Sequence, residues 1–371
     1  METKGKPLRC RAAVCRNAGE ALKIEEVIVA PPKTREVRIK IICTSLCHSD
    51  IIIWKMADFP GGLYPRIFGH EAVGVVESLG ENVTEVKKGD IVVPTFISDC
   101  RECKDCLSTK SNLCSKFASA TSPWMPRDMS SRFTNTSGEV MYHFINVSSF
   151  SEYTVVDIAH ITKIDSVVSP DKVCLLSCGV ATGVGAAWKT ANVEPGSSVA
   201  IFGMGTVGLA VAEGPRISGA TKIIGVDVNP HKFELGKKFG VTDFVNPREC
   251  DNKPSEVIKK MTDGGADYCF ESVGSASLVY EAFCSCRKGW GKTIVVGVDP
   301  KSELKFGSYE LLHSGKTIMG SRYGNLKPKT DIPLLLKRYE NKEINLDDFL
   351  THQVGFEEIN KAFDLLLGGE S

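Results

Sequence analysis

The sequence predicts an α/β protein of two domains, a mostly antiparallel β domain followed by a doubly wound parallel sheet. At 371 residues, the chain is longer than a single hydrophobic core usually supports. Its first half contains short β-branched runs separated by Gly, Pro and Asp, whereas strand-like and helix-like patterns alternate from about Gly179 onward. Such alternation is typical of βαβ units, so we expect the parallel sheet in the second half.

In the first half, apolar β-branched runs indicate strands joined by long connections. The clearest runs are 37–43, 72–79 and 90–94. Residues 116–138 are polar and lack periodicity, which predicts a surface loop.

In the second half, the apolar period switches repeatedly between that of a strand and that of a helix. The predicted strands are 198–202, 222–226, 243–246, 268–271 and 293–298. The predicted helices are 231–239, 254–261 and 278–286, and residues 356–367 form a final amphipathic helix.

The composition argues against a nucleic-acid or membrane-surface partner. Acidic and basic residues balance at 45 each, without the clustered basic excess that such partners require. No apolar run approaches the roughly 20 residues that span a bilayer. The opening residues METKGKPLRCR contain no apolar segment of a secretory signal, so we expect a soluble cytoplasmic protein. In a reducing compartment, clustered thiols among the 14 cysteines favour metal ligation over disulfides.

Four cysteines lie within one short segment and predict a metal site. Cys100, Cys103, Cys106 and Cys114 form the pattern C-x2-C-x2-C-x7-C. Four thiolates this close can surround a tetrahedral zinc ion and leave no open position, which indicates a structural ion. Free surface cysteines and an iron–sulfur cluster are the alternatives, although the spacing differs from that of common ferredoxins.

A second metal site is predicted from ligands scattered along the chain. Cys47, His70 and Cys178 together make a three-ligand zinc site whose fourth position is open to water or substrate. Each residue alone has an ordinary explanation as a buried or hydrogen-bonded side chain. An open zinc ion acts as a Lewis acid, which indicates catalysis. Cys43 and Cys174 are interpreted as packing residues.

A glycine-rich turn follows the first strand of the alternating region. The stretch from Gly203 to Gly208 matches G-x-G-x-x-G, and Asp227 ends the next strand. These glycines let the backbone approach a pyrophosphate at a helix N-terminus, and the acidic residue accepts hydrogen bonds from a ribose. The carboxylate also repels a 2′-phosphate, so NAD is favoured over NADP. Pro215 falls inside the helix that follows, and a position close to the C-terminal end would limit its effect to an early stop or a kink.

The order of these motifs resembles the zinc-containing medium-chain alcohol dehydrogenases, over essentially the whole chain. The amino-acid sequence is most similar to the plant alcohol dehydrogenase-like branch, in the segments TSLCHSD, PRIFGHEAVGVVESLGENV, SSFSEYTVVD, IIGVDVNPHKFELGKKFG, KPKTDIP and FEEINKAFDLL. The resemblance implies a GroES-like catalytic domain at 1–178 with a structural zinc lobe at 96–116. It further implies a Rossmann domain at 179–324 and a return to the catalytic domain at 325–371.

The resemblance also implies roles for individual residues. Cys47, His70 and Cys178 would bind the catalytic zinc, with Glu71 a neighbouring or alternate ligand, and the four clustered cysteines would bind the second zinc. Ser49 matches the hydroxyl that begins proton removal from the alcohol, and Phe96 and Trp54 match the substrate pocket. The matching coenzyme contacts are His48, Thr182, Gly203, Gly205, Val207, Gly208, Asp227, Lys232, Val296, Val298 and Tyr323.

Two positions depart from the family. A proton-carrying residue, often His, stands three residues after the serine or threonine in the family, whereas this chain has Ile52. An aliphatic side chain cannot carry a proton. The sequence also ends at Ser371, whereas the family continues into a strand bearing an arginine near the coenzyme.

The functional hypothesis is zinc-dependent hydride transfer between NAD(H) and an alcohol/aldehyde or ketone pair. The alternative is a hydroxynitrile lyase on the same scaffold, cleaving aliphatic cyanohydrins to carbonyl and HCN with NAD bound structurally. The loss of the relay residue at Ile52 is compatible with either reaction. A non-enzymatic role is a third hypothesis, although an open zinc site would then have no purpose. The family further implies a homodimer, or sometimes a tetramer, acting on a small molecule in the cytoplasm.

Overall fold

The computed structural model describes residues 5–57, 62–117 and 122–370. The chain divides into two compact units. The first comprises Met1–Cys178, Lys327–Glu340 and Leu350–Ser371, and the second comprises Gly179–Leu326 and Asn341–Phe349.

The described residues form sixteen strands. They are β1 (Leu8–Cys15), β2 (Lys23–Val29), β3 (Glu36–Ser45), β4 (Arg66–Ile67), β5 (Glu71–Leu79), β6 (Ile91–Pro94), β7 (Phe133–Asn135), β8 (Val140–Met141), β9 (Tyr153–Asp157), β10 (Ile161–Ile164), β11 (Ser198–Phe202), β12 (Lys222–Val226), β13 (Asp243–Val245), β14 (Tyr268–Glu271), β15 (Lys292–Val295) and β16 (Thr317–Gly320).

Eleven α-helices lie in the same part of the chain. They are α1 (His48–Trp54), α2 (Lys104–Leu107), α3 (Pro170–Val173), α4 (Gly179–Gly185), α5 (Thr206–Ser218), α6 (His231–Lys238), α7 (Pro254–Met261), α8 (Ala276–Ser285), α9 (Ser308–Ser314), α10 (Pro328–Glu340) and α11 (Ile359–Gly368). Short 3-10 helices include Ile158–His160, Cys174–Ser177, Tyr323–Asn325 and Phe356–Glu358, and Ala186–Ala191 is a π-helical segment.

The first unit is built from two antiparallel five-stranded sheets. Their strand orders are β4-β1-β2-β7-β8 and β10-β6-β5-β3-β9. The long pairing of β3 with β5 is antiparallel and contains two irregularities in register, one of them between Ile41 and Cys43. Valine and isoleucine dominate the buried positions of the second sheet, which suits β-branched side chains on a pleated surface. The mostly antiparallel β domain predicted from the sequence is therefore confirmed.

The second unit contains one fully parallel sheet with the order β13-β12-β11-β14-β15-β16. Along β11, Val199 and Ile201 belong to one apolar cluster, whereas Ala200 and Phe202 belong to another. Because successive strand residues point to opposite faces, both faces of this sheet are buried. The doubly wound parallel sheet is confirmed.

Two local expectations were wrong. The loop predicted at 116–138 contains strand β7, and residues 118–121 of that loop lie outside the described residues. The strand expected at 293–298 ends at Val295. Pro215, in contrast, lies in the last turn of α5, close to the C-terminal end of the helix, which stops at Ser218 before Gly219 in a left-handed conformation.

The return of the chain after residue 325 is also divided differently from the expectation. Residues 341–349 lie in the second unit instead of the first. There Phe349 contacts Phe239 at 4.5 Å between ring centroids, and Asp348 forms an ion pair with Lys238. This apolar and charged contact holds the segment against α6.

No single helix among the described residues combines the length and hydropathy that a bilayer span requires. The segments Pro170–Ser177 and Gly179–Ala191 meet that test only together, as a bent pair, by length and composition.

Candidate functional site

The four clustered cysteines converge in the structure. The Sγ atoms of Cys100, Cys103, Cys106 and Cys114 all lie within 4.8 Å of one another, and all four thiols are buried and free of disulfides. The backbone amide of Cys103 donates to Cys100 Sγ, and that of Cys106 donates to Cys103 Sγ, both at 3.3 Å. Amides that point at sulfur favour the thiolate form, which is the form that binds a metal. The set fits a closed zinc site.

The scattered ligands form a second group. Donor atoms of Cys47, His70, Glu71 and Cys178 lie within 4.8 Å of one another. Cys47 is the N-cap of α1, Glu71 is the first residue of β5 with His70 immediately before it, and Cys178 follows a 3-10 helix. The ends of three separate elements therefore bring together residues that are distant in sequence.

The His70 imidazole shows which of its nitrogens is available to a metal. Its Nδ1 lies 3.3 Å from Asp50, whereas its buried Nε2 has no hydrogen-bond partner among the described residues. A buried polar atom left in this state is costly unless a ligand satisfies it. A carboxylate on one ring nitrogen and a metal on the other is the usual arrangement of a ligating histidine. The site therefore fits a zinc ion on Nε2.

Asp50 is a functional residue that sequence reasoning missed. Its fully buried carboxylate contacts His70 and accepts hydrogen bonds from the amides of Gly69 and Cys47, each at 3.0 Å. It thereby orients two of the metal donors at once. An acidic residue in the first turn of the helix that follows Cys47 could have indicated it, since carboxylates are favoured there.

Burial also perturbs the Glu71 side chain. Its surroundings raise the pKa of Glu71 to about 8, chiefly through burial and then through the nearby Cys47. Both causes disfavour a negative charge beside two thiols. A divalent cation would reverse that balance, so the group as a whole is suited to a positive ion.

The other predicted residues of this unit take different positions. Ser49 is half-buried in the first turn of α1, and His48 is the exposed first residue of that helix. The Phe96 ring meets the His70 ring edge-on at 5.9 Å between centroids, beside the metal group. Trp54 packs against Phe363 at 5.5 Å between ring centroids and donates its indole N–H to the carbonyl of Glu20, and its place in the substrate pocket stays a prediction.

In the second unit, the glycine turn has the shape that an anion requires. A Cβ atom on Gly208 would lie 1.8 Å from the Gly203 carbonyl oxygen, so this position tolerates only glycine. At Gly205, the N-cap of α5, a Cβ atom would meet nothing within 4 Å. The turn is closed on the protein side and open in front of the helix N-terminus, which fits a bound pyrophosphate.

Asp227 lies beside this turn. Its carboxylate accepts from the amide of Met204 and from that of Asn229, both at 2.8 Å. Val296 and Val298 follow β15 at the same carboxyl edge of the sheet, and Val298 is exposed. Ligands of open parallel sheets bind at this edge, so the arrangement fits a dinucleotide.

The remaining predicted coenzyme residues are distributed over the same unit. Val207 is the second residue of α5, and Lys232 is the second residue of α6. Thr182 lies in α4, close to the turn that contains Tyr323, because a Cβ atom on Gly324 would be 2.7 Å from the Thr182 carbonyl oxygen. The structure thus brings Thr182 and Tyr323 together, and their contacts with coenzyme remain predictions.

Comparison with known proteins gives a consistent result. Residues 33–166 match the alcohol dehydrogenase GroES-like domain, and residues 206–341 match the zinc-binding dehydrogenase family. Alcohol dehydrogenase-like 7 of Arabidopsis thaliana is 63% identical over 368 residues, covering 98% of this chain and 94% of that protein. Alcohol dehydrogenase class-3 of Oryza sativa subsp. japonica is 49% identical over 369 residues, covering 99% and 96%.

Solved structures are similar as well. The alcohol dehydrogenase zinc-binding domain protein of Burkholderia ambifaria has a TM-score of 0.91 at 31% identity, covering 99% of this chain and 98% of that one. Benzyl alcohol dehydrogenase of Acinetobacter calcoaceticus has a TM-score of 0.89 at 30% identity, covering 98% and 97%.

Proposed function

This chain belongs to the zinc-binding alcohol dehydrogenase family, and from that premise we propose that it transfers hydride between NAD(H) and an alcohol/aldehyde or ketone pair. As a member it is an NAD- and zinc-dependent enzyme. The observation that carries the proposal is the buried Nε2 of His70, which lies beside two thiols and has no hydrogen-bond partner in the part of the chain that the structure describes. Alcohol dehydrogenases are a standard example of the two-cysteine, one-histidine zinc site, so this point rests on the family as well as on the geometry.

Two separate groups of residues would hold the two cofactors, zinc and NAD. Cys47, His70 and Cys178 would hold the catalytic zinc, and Asp50 would keep the imidazole turned toward it. The turn from Gly203 to Gly208 would hold the coenzyme pyrophosphate, and Asp227 would accept hydrogen bonds from the ribose. When bound, zinc supplies Lewis acidity to the substrate oxygen, and NAD supplies the hydride acceptor.

Ser49 would accept the proton that leaves the alcohol. Its Oγ would accept the proton of the alcohol while its own proton passes outward, since a hydroxyl both accepts and donates. Phe96, beside His70, would form an apolar wall that excludes water from the reacting carbon. Because Ile52 cannot carry a proton, the outward path from Ser49 must end on water or on the coenzyme rather than on this side chain.

The experiment that tests the proposal follows absorbance at 340 nm while primary alcohols, secondary alcohols and acetone cyanohydrin are offered separately with NAD. We expect NADH to form with at least one alcohol and not with the cyanohydrin. Release of cyanide and ketone without NADH, together with inactivity toward every alcohol, would contradict hydride transfer and support the lyase.

We further propose that the protein acts as a homodimer joined through the second unit. Strand β16 lies at the end of the parallel sheet, and β15 is its partner within the described residues. The adjacent helix α9 exposes Tyr309 and Leu312 to about three quarters, at 74% and 75%. An open strand edge beside exposed apolar side chains is typical of an association surface. Light scattering should give twice the chain mass of 40.3 kDa, and a mass of 40.3 kDa would contradict the dimer.

A further inference from the structure

A pair of thiols lies next to the pair that belongs to the metal group. Cys43 stands four residues before Cys47, and Cys174 stands four residues before Cys178. The Cys43 and Cys174 thiols are hydrogen-bonded to each other, as are those of Cys47 and Cys178. Cys43 and Cys174 lie outside the group of donor atoms around His70 and are free of disulfides. The four thiols thus form two adjacent pairs, of which one belongs to the metal group.

The fold itself holds the elements of the outer pair side by side. Cys43 lies in β3, directly opposite Val73 of β5. Cys174 opens a short 3-10 helix that contacts both strands. The Ser177 hydroxyl donates to the carbonyl of Cys174 at 2.7 Å and accepts from the amide of Ala72 at 2.9 Å. Since Ala72 precedes Val73, these bonds fix the start of the helix next to Cys43.

The two thiols of this pair differ in their access to solvent and in their acidity. Cys43 is half-buried, beside an irregularity of register in β3 at which Ile42 is 47% exposed, whereas Cys174 is 3% exposed. The hydrogen bond with Cys174 lowers the pKa of the Cys43 thiol, and this effect exceeds the opposing effect of burial. Thiolate character and access both favour reaction with an oxidant, so Cys43 is suited to react first.

We propose that Cys43 and Cys174 are a redox site that forms a reversible disulfide with hydrogen peroxide as the oxidant. The Cys43 thiolate attacks one peroxide oxygen, the O–O bond breaks, and the leaving hydroxide takes up the proton that Cys43 released. Cys43 is then a sulfenic acid. The Cys174 sulfur attacks the Cys43 sulfur, so that the S–S bond forms and the S–O bond breaks. The second hydroxide leaves with the Cys174 proton, and two thiols and one peroxide have become one disulfide and two waters.

The competing reaction is oxidation of the thiols in the metal group. Thiolates bound to a metal are ligands, so their oxidation would release the ion. A disulfide between Cys43 and Cys174 uses no donor atom of that group, and both zinc ions should therefore stay bound while it forms.

The test treats the holoenzyme with hydrogen peroxide and locates the oxidised thiols by alkylation and peptide mass spectrometry. Cys43 and Cys174 should be lost to alkylation together, appear as one cross-linked peptide, and become reactive again after reduction by dithiothreitol. Native mass spectrometry should show both zinc ions retained. Cys174→Ser removes the second thiol, so the sulfenic acid at Cys43 should persist and react with dimedone. Cys43→Ser should leave Cys174 reduced, because the thiol that reacts first is absent.

Another hydrogen-bonded thiol pair in the second unit provides a matched control. Cys269 and Cys286 are also bonded to each other, but their exposures are 0% and 1%. Because an oxidant must reach the sulfur, this pair should stay reduced under the conditions that oxidise Cys43.

The proposal would be overturned by reduced thiols at both Cys43 and Cys174 after the treatment, or by a stable sulfenic acid at Cys43 in the wild type. A disulfide between Cys269 and Cys286 that forms first, or loss of zinc before the Cys43 thiol is consumed, would overturn it as well. Thiol mapping needs no substrate, so these outcomes are independent of the proposed hydride transfer, whose failure would appear as the absence of NADH with every alcohol.

Discussion

Asp227 is the residue whose role in coenzyme choice is tested most simply. Because its carboxylate would accept ribose hydrogen bonds and repel a 2′-phosphate, Asp227→Gly should weaken NAD binding by about tenfold to a hundredfold and relax discrimination against NADP. Titration of coenzyme fluorescence measures both affinities.

The same carboxylate also accepts from the amides of Met204 and Asn229, so Asp227→Gly disturbs the turn as well. Asp227→Asn keeps an acceptor oxygen and removes the charge, which makes it the matched variant. It should relax the discrimination with a smaller loss of NAD affinity. An unchanged preference in both variants would mean that another residue reads the ribose.

Ile52 offers a test of proton movement. It lies half-buried between the buried Ile51 and Ile53 on α1. Ile52→His places an imidazole, with a pKa near 6.5, where the family carries a proton acceptor. General acid–base help is typically worth about 10² to 10⁴ in rate, so alcohol oxidation should rise if proton transfer limits turnover.

The gain should appear as pH rises through about 6.5, since the neutral imidazole is the form that accepts a proton. Ile52→Gln is polar but does not titrate, and it serves as the control. An equal gain in Ile52→Gln, or a gain without pH dependence, would show that polarity rather than proton transfer is responsible.

For single residues, the sequence predicts which side chains ligate a metal better than it predicts how side chains are oriented. Cys47, His70 and Cys178 could be predicted because thiols and imidazoles in this combination have few other uses, and the structure brings them together. Trp54 could not be placed, because its contact with Phe363 depends on the packing of α11, far along the chain. Asp50 was missed because a carboxylate in a first helical turn is commonplace.

At the scale of elements, the lobe around α2 and the turn before α1 should respond differently to cysteine removal. Cys103→Ala opens the four-thiol group, and structural zinc contributes directly to the free energy of folding. This variant should lose thermal stability and soluble yield. Cys47→Ala should leave a folded protein that binds NAD and has no activity.

Thermal melts, NADH fluorescence and the alcohol assay distinguish the two variants. Cys250→Ala is a control, since Cys250 is a half-buried thiol outside both metal groups. An unfolded Cys47→Ala together with an active Cys103→Ala would show that the two sites are exchanged.

The elements themselves were predictable where the apolar period was strong. Strands β11, β12 and β14 and helix α7 match their predicted bounds, since a buried parallel strand and an amphipathic helix differ clearly in period. Strand β7 has only three residues, and its pairing with β2 and β8 is set by tertiary contacts, so no local pattern marks it. The exact end of α5 could not be predicted from Pro215, because the tolerance of a proline depends on how close to the helix end it lies.

For the whole molecule, two kinds of domain could be predicted because the sequence changes near residue 179 from short β-branched runs to alternating strand-like and helix-like patterns. The assignment of 341–349 to the second unit could not, because it depends on contacts of Phe349 and Asp348 with α6 that no local pattern encodes. The function, too, could be predicted only in part. The metal and coenzyme motifs indicate the class of chemistry, whereas the choice of substrate depends on side-chain placement around Phe96.

We expect one chain to hold two zinc ions with different tasks, and native mass spectrometry during chelation measures both. Freshly purified protein should carry two zinc ions per chain. Mild chelation should remove one ion, from the three-ligand site, and alcohol oxidation should disappear while the protein stays folded with the second ion bound. One ion or none in the fresh protein, or full activity after the first ion has left, would contradict the assignment of one structural and one catalytic zinc site.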